Sequence, residues 1–204
     1  MKFLILHGSF GSPQSNWFPW LKSQLENRRH KVLTPQMPID DWEEANRTYK
    51  ETGNWDATNQ NLDHWLQKFE KDIQPWLGNE RPIIIAHSLS PLFVLHLVDK
   101  LNIKLKAAIF VSPFYQTVPA EGPYDIANRT FYYTDFDWNK IVDSIEYRFV
   151  FYSDNDPFID QVYFQNFINK TQSQSIVIHS RGHLGEELEE FPEVLNTLEQ
   201  NHLI

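Results

Sequence analysis

Cysteine is absent from the 204 residues, which removes disulfides, thiol nucleophiles and every thiolate metal site at once. Any nucleophile in this chain must be an oxygen or a nitrogen. Positive charge is also scarce: 18 Lys and Arg stand against 27 Asp and Glu, a formal net charge of −9. No basic run collects into a patch that could neutralise a phosphate backbone, so nucleic acid is not an expected partner. Long apolar runs are missing as well. The stretch Phe3 to Leu6 follows Met1 and Lys2 and is broken by His7, too short for a signal peptide or a membrane span. No membrane contact is expected, and the chain reads as a soluble cytoplasmic protein. Repeats, low-complexity tracts and Gly- or Ser-rich linkers do not occur. With 41% apolar residues at this length, one domain spanning 1–204 can bury a sizeable core.

Six short apolar runs stand out: Phe3 to Leu6, Lys31 to Pro35, Pro82 to Ala86, Ala107 to Val111, Arg148 to Tyr152 and Ser175 to Ile178. Their apolar residues are near-continuous rather than alternating, as in strands buried on both faces. Segments of helical period lie between them. Trp17, Trp20, Leu21 and Leu25 mark one behind Asn16 as N-cap, and Leu62, Trp65, Leu66, Phe69, Ile73 and Trp76 mark a longer one. Leu89 to Val98 is apolar nearly all round, and Val162 to Ile168 and Pro192 to Leu198 complete the set. Alternating strands and helices predict an α/β fold, a parallel sheet with right-handed crossovers and helices on both faces. Such a sheet holds its ligand at the carboxyl ends of the strands. Two segments resist assignment, Ile39 to Asn61 and the aromatic-rich Phe114 to Trp138, and the second reads as a lid or cap segment over 114–138.

The third run passes straight into Ala86-His87-Ser88-Leu89-Ser90 and then into the apolar helix. A strand, a sharp turn and a helix with serine at the apex make a nucleophile elbow, which needs small residues two before and two after the serine. Ala86 and Ser90 meet that need, although a serine there can also simply cap the helix. A serine hydroxyl is a poor nucleophile until an imidazole takes its proton and a carboxylate fixes the imidazole tautomer. Both partners are expected beyond later strands. The fifth run leads into Ser153-Asp154-Asn155-Asp156-Pro157, and the sixth into His179-Ser180-Arg181-Gly182-His183-Leu184-Gly185. The order Ser, Asp, His is that of α/β hydrolases. His183 is flanked by glycines that can carry its ring into a cleft. Of the two carboxylates Asp156 is preferred, because Pro157 ends the turn rigidly behind it, with Asp154 as the other choice.

Acyl transfer also needs backbone N–H groups aimed at the developing oxyanion. The first run ends in Leu6-His7-Gly8-Ser9-Phe10-Gly11, a tight turn that offers the N–H of Ser9. The N–H of Leu89 follows the nucleophile and supplies the second donor. Neither G-x-G-x-x-G nor G-x-x-x-x-G-K is present, so a dinucleotide or phosphate cradle is not supported. His7, His87 and His96 read as loop, packing and core histidines. His179 and His183 are four apart, but that spacing converges on a metal only in a helix, and Gly182 argues for a loop. No metal and no cofactor is expected.

With these motifs in place, the sequence resembles the small α/β hydrolases of the YdeN and retinoblastoma-binding-protein type over nearly its whole length. The resemblance rests on Leu6-His7-Gly8-Ser9, Trp17, Pro19-Trp20, Pro35, Pro38 and Ala86-His87-Ser88-Leu89. It implies the α/β-hydrolase fold, a three-layer sandwich with a shortened six-stranded parallel sheet in the order 2-1-3-4-5-6. It carries the catalytic roles onto Ser88, Asp156 and His183, with Ser90 standing where the family has glycine. The expected function is a serine hydrolase, of carboxylesterase type, that cleaves a small-molecule ester or amide through an acyl-serine intermediate. The alternative is a catalytically weak or inactive binding or regulatory protein on the same fold, motivated by Ser90 and the aromatic segments. A different chemistry on the scaffold, lyase or acyltransferase, is a third reading.

Overall fold

The computed structural model describes residues 1–119, 122–185 and 188–204. Its elements run β1 (Lys2–Leu6), α1 (Phe18–Asn27), β2 (Lys31–Leu33), α2 (Trp42–Thr52), α3 (Leu62–Lys68), a π turn (Phe69–Ile73), α4 (Gln74–Leu77), β3 (Ile83–His87) and α5 (Ser90–Leu101). They continue with β4 (Leu105–Val111), α6 (Pro123–Asn128), α7 (Trp138–Ser144), β5 (Ile145–Ser153), α8 (Gln161–Thr171), β6 (Gln174–Ile178) and α9 (Pro192–Gln200). The six strands form one sheet in the order β2-β1-β3-β4-β5-β6, and every pairing is parallel.

The continuous apolar runs have a direct structural reason. Successive strand residues point to opposite faces, and both faces here are covered. Leu4, Leu6, Ile84 and Ala86 pack with Trp65, Phe93 and Phe167 from α3, α5 and α8. Phe3, Ile5, Ile83 and Ile85 pack on the other face with Phe18, Leu21 and Leu198 from α1 and α9. Two layers of helix thus enclose the sheet, and α5 is buried from Ser90 through Val98, which accounts for its lack of a polar face.

Several boundaries depart from the sequence pattern for identifiable reasons. β2 stops at Leu33, short of Pro35, which has no N–H for a ladder bond. Asn16 does not cap α1. It takes a left-handed conformation, φ 56°, and the cap position falls to Trp17, with Pro19 in the first turn. The helix read through Leu62 to Trp76 contains the π turn, whose wider coil suits its buried residues Trp65, Phe69, Ile73 and Leu77. Their spacing of four would drift around a regular helix of 3.6 residues per turn.

Both unassigned segments contain helices. α2 lies inside 39–61, capped by the Asp41 side chain accepting from the Glu44 N–H and ended by left-handed Gly53. Asp40 folds the rest of that segment: its carboxylate accepts from the N–H groups of Thr58, Asn59 and Gln60 and from the Thr58 hydroxyl. Segment 114–138, of which residues 120 and 121 lie outside the described residues, contains α6 and the first residue of α7. Phe114, Tyr115, Phe131 and Phe136 of this segment are buried in the core cluster beside α5, whereas Tyr133 is exposed.

Candidate active site

Ser88 sits between β3 and α5 with φ 60°, a left-handed conformation that a non-glycine residue holds at a cost of about 1–3 kcal/mol. The surroundings impose it. Its N–H donates to the Val111 carbonyl at the end of β4 (2.9 Å), while Leu89 and Ser90 turn at once into the buried α5. Ser90, in the usual glycine position, is accommodated because its hydroxyl donates to the His7 carbonyl; it joins the end of β1 to the start of α5. Close approach on the other side requires Gly8, where an added Cβ would stand 2.7 Å from Ser88 Cβ and 3.2 Å from its Oγ.

The loops beyond β5 and β6 meet the elbow. His183 Nε2 lies 3.0 Å from Ser88 Oγ, and His183 Nδ1 lies 2.7 Å from Asp156 Oδ2. The remaining oxygen of Asp156 accepts from the N–H groups of Phe158 (2.9 Å) and Ile159 (3.0 Å). Its side chain is fully buried, and that of His183 is 15% exposed. Three residues remote in sequence therefore form one hydrogen-bonded series. Asp154 takes no part in it. That residue accepts from Nδ1 of the outer His179 at 2.6 Å and from the Ser180 N–H at 2.8 Å.

Several groups that hold the His183 loop are not evident from sequence. The His183 carbonyl accepts from His87 Nε2 (3.0 Å) and from the Ser112 hydroxyl (2.9 Å). Trp17 Nε1 donates to the next carbonyl, that of Leu184. From the β5 side, Asn155 Oδ1 accepts from the Gly182 N–H and Ser153 Oγ from the Arg181 N–H. His87 is a positioned donor rather than a packing residue. Burial, and then the neighbouring His183, pushes its pKa down to about 3, so the ring stays neutral with its proton on Nε2. Sequence gives one hint of this role, a histidine directly before the apex serine.

The turn after β1 is braced in the same manner. His7, buried and therefore held below the usual histidine range, donates from Nδ1 to the Gly8 carbonyl and accepts at Nε2 from the Met37 N–H. Ser9 donates its hydroxyl to Asn128 Oδ1 (2.6 Å), and Gln60 accepts from the Phe10 N–H while donating to Asn128. The buried Gln60 connects this turn to the Asp40 loop. Among the described residues no cluster of three His, Asp or Glu side chains could hold a metal, and no helix is long and apolar enough to cross a membrane.

A parallel sheet in this order, with a strained serine after the third strand and an Asp and a His beyond the last two, defines an α/β hydrolase. The sequence profile of the serine hydrolase family matches residues 3–200, and the chain belongs to that family. It is similar to the hydrolase YdeN of Bacillus subtilis (strain 168), with 24% identity over 187 residues covering 90% of this chain and 85% of YdeN. The crystal structure of YdeN superposes with a TM-score of 0.79 at 22% identity, over 100% of this chain and 99% of that one. A carboxylesterase structure from Nitrososphaera gargenis matches with a TM-score of 0.66 at 10% identity, over 99% and 89% of the two chains.

Proposed function

We propose that this serine hydrolase cleaves small carboxylic esters through a covalent acyl-serine formed on Ser88, with His183 as acid–base and Asp156 as its orienting carboxylate. The observation that carries the reading is the unbroken series of contacts, 3.0 Å from Ser88 Oγ to His183 Nε2 and 2.7 Å from His183 Nδ1 to Asp156. Asp156 accepts a hydrogen bond from Nδ1–H, which keeps the proton on Nδ1 and leaves Nε2 with a free lone pair toward the hydroxyl. As Oγ attacks the acyl carbon, its proton passes to Nε2, and negative charge on the buried Asp156 stabilises the imidazolium. Nε2 then protonates the departing alcohol. Water attacks the acyl-enzyme by the same route in reverse and releases the acid.

The oxyanion is assigned to the N–H groups of Ser9 and Leu89, each worth about 3 kcal/mol in the transition state. Supporting this, the neighbouring N–H groups are already committed: Phe10 to Gln60, Gly11 to the Gly8 carbonyl and Ser88 to Val111. Gly8 brings this turn against Ser88. An ester rather than an amide is favoured by the carboxylesterase among the fold neighbours. No cofactor enters this scheme, and the partner is a small acyl substrate.

The test is pre-steady-state hydrolysis of p-nitrophenyl butyrate. A burst of one p-nitrophenolate per chain followed by slower turnover is expected, with both phases lost in Ser88→Ala. Turnover undiminished in Ser88→Ala would remove Ser88 from the mechanism.

A further inference from the structure

Single exposed hydrophobic residues are common on protein surfaces and usually mean nothing. Phe158 differs by where it stands. The residue is 64% exposed, the most of any large hydrophobic residue among those described. Its N–H is tied to Asp156 Oδ1, and its ring meets the His183 imidazole edge to face, with centroids 5.2 Å apart and planes at 88°. A bare apolar ring thus borders the imidazole whose Nε2 points to Ser88.

This position bears on one half of the reaction proposed above, on which the present inference rests. In acylation the Ser88 Oγ–acyl carbon bond forms and the acyl carbon–oxygen bond to the alcohol breaks. The proton travels from Oγ through Nε2 to that departing oxygen. The leaving oxygen must therefore come within about 3 Å of His183 Nε2, and the atoms behind it fall against whatever stands beside the imidazole. The acyl carbon, by contrast, is held over Ser88 toward Ser9 and Leu89. In deacylation water replaces the alcohol, and nothing remains to touch Phe158.

We propose that Phe158 is a specificity residue for the leaving group and selects esters whose departing alcohol is apolar. Burying part of a ring of this size against a ligand favours binding by roughly a factor of ten, about 1.4 kcal/mol. The acyl-chain preference is set elsewhere and does not depend on it.

The experiment compares methyl acetate with benzyl acetate, which share an acyl group, in the wild type, Phe158→Ala, Phe158→Leu and Val162→Ala. Val162 is similarly exposed, at 57%, and serves as the surface control. Phe158→Ala is expected to lower kcat/KM for benzyl acetate about tenfold and for methyl acetate less than about twofold. Phe158→Leu should retain most of the benzyl preference, and Val162→Ala all of it. Deacylation of the common acetyl-enzyme, read from the slow phase with p-nitrophenyl acetate, should be unchanged in all variants. Equal losses on both esters, or slowed deacylation, would show that Phe158 merely orients His183 and would overturn the proposal. A wild type that shows a burst but no benzyl preference overturns this inference alone. Hydrolysis undiminished in Ser88→Ala overturns the Ser88 reading and this one with it.

Discussion

Two Asp–His pairs stand side by side where β5 and β6 end, and locally they are nearly the same object. Asp154 receives Nδ1 of His179 at 2.6 Å and a backbone N–H on its other oxygen. Asp156 receives Nδ1 of His183 at 2.7 Å and two backbone N–H groups. What separates them is environment. The side chains of the outer pair are 79% and 44% exposed for His179 and Asp154, against 15% and none for His183 and Asp156. Only the inner imidazole reaches Ser88, and only its backbone carbonyl is gripped by His87 and Ser112. On the proposed mechanism, hydrogen bonding between Asp and His is not enough to make a base; the pair must also be dry and aimed at a nucleophile.

The sharpest way to break this comparison is the same substitution in both pairs. Asp156→Asn is expected to lower kcat for ester hydrolysis by about 10⁴-fold, because the amide no longer enforces the useful tautomer. Asp154→Asn should leave kcat within about twofold, as for a screened surface pair. Comparable losses in the two variants would mean that the inner pair has no special standing.

A smaller effect is expected from the grip on the His183 carbonyl, which has no counterpart at His179. His87→Leu removes one neutral donor and should lower kcat about tenfold with little change in KM, because ground-state binding does not depend on it. His87→Gln can still donate and should recover part of the loss. Stopped-flow acylation rates measure both, and a His87→Leu enzyme of wild-type speed would mean that Ser112, Trp17, Asn155 and Ser153 hold the loop without it.

The smallest effect concerns stability. The Ser180 N–H first, and the His179 contact next, hold the Asp154 carboxyl below the ordinary aspartate value of 3.8. A carboxylate depressed in the folded state stabilises the fold at pH values above its unfolded pKa, and that contribution is lost as pH falls through the folded value. Asp154→Asn should therefore lower Tm slightly at pH 7, with the gap closing below about pH 3.8. A gap independent of pH, followed by calorimetry, would remove the charge from the explanation.

The sheet is legible in the sequence because burial on both faces writes itself as continuous apolar runs, and its boundaries shift where local chemistry intervenes, as at Pro35. α2 was hidden for a different reason. Only Trp42, Ala45 and Tyr49 mark an apolar stripe in an otherwise polar segment, although Asp41, Glu44 and Gly53 are start and stop signals that do not depend on periodicity. Ser88 and His183 can be picked out because each follows a strand in a strand-end loop. The sequence favours Asp156 over Asp154 through its place in the turn before Pro157; in the structure both reach an imidazole, and what distinguishes them is burial, which is set by the whole fold. The same holds for His87, whose partner is a carbonyl 96 residues away.

Active-site labelling tests the heart of the matter most directly. A fluorophosphonate probe applied to the native chain, followed by peptide mapping, should place a single adduct on Ser88. Labelling should become far slower in His183→Ala and disappear in Ser88→Ala. An adduct on another residue, or equal labelling of the Ser88→Ala chain, would contradict the assignment of Ser88 as the nucleophile that His183 activates.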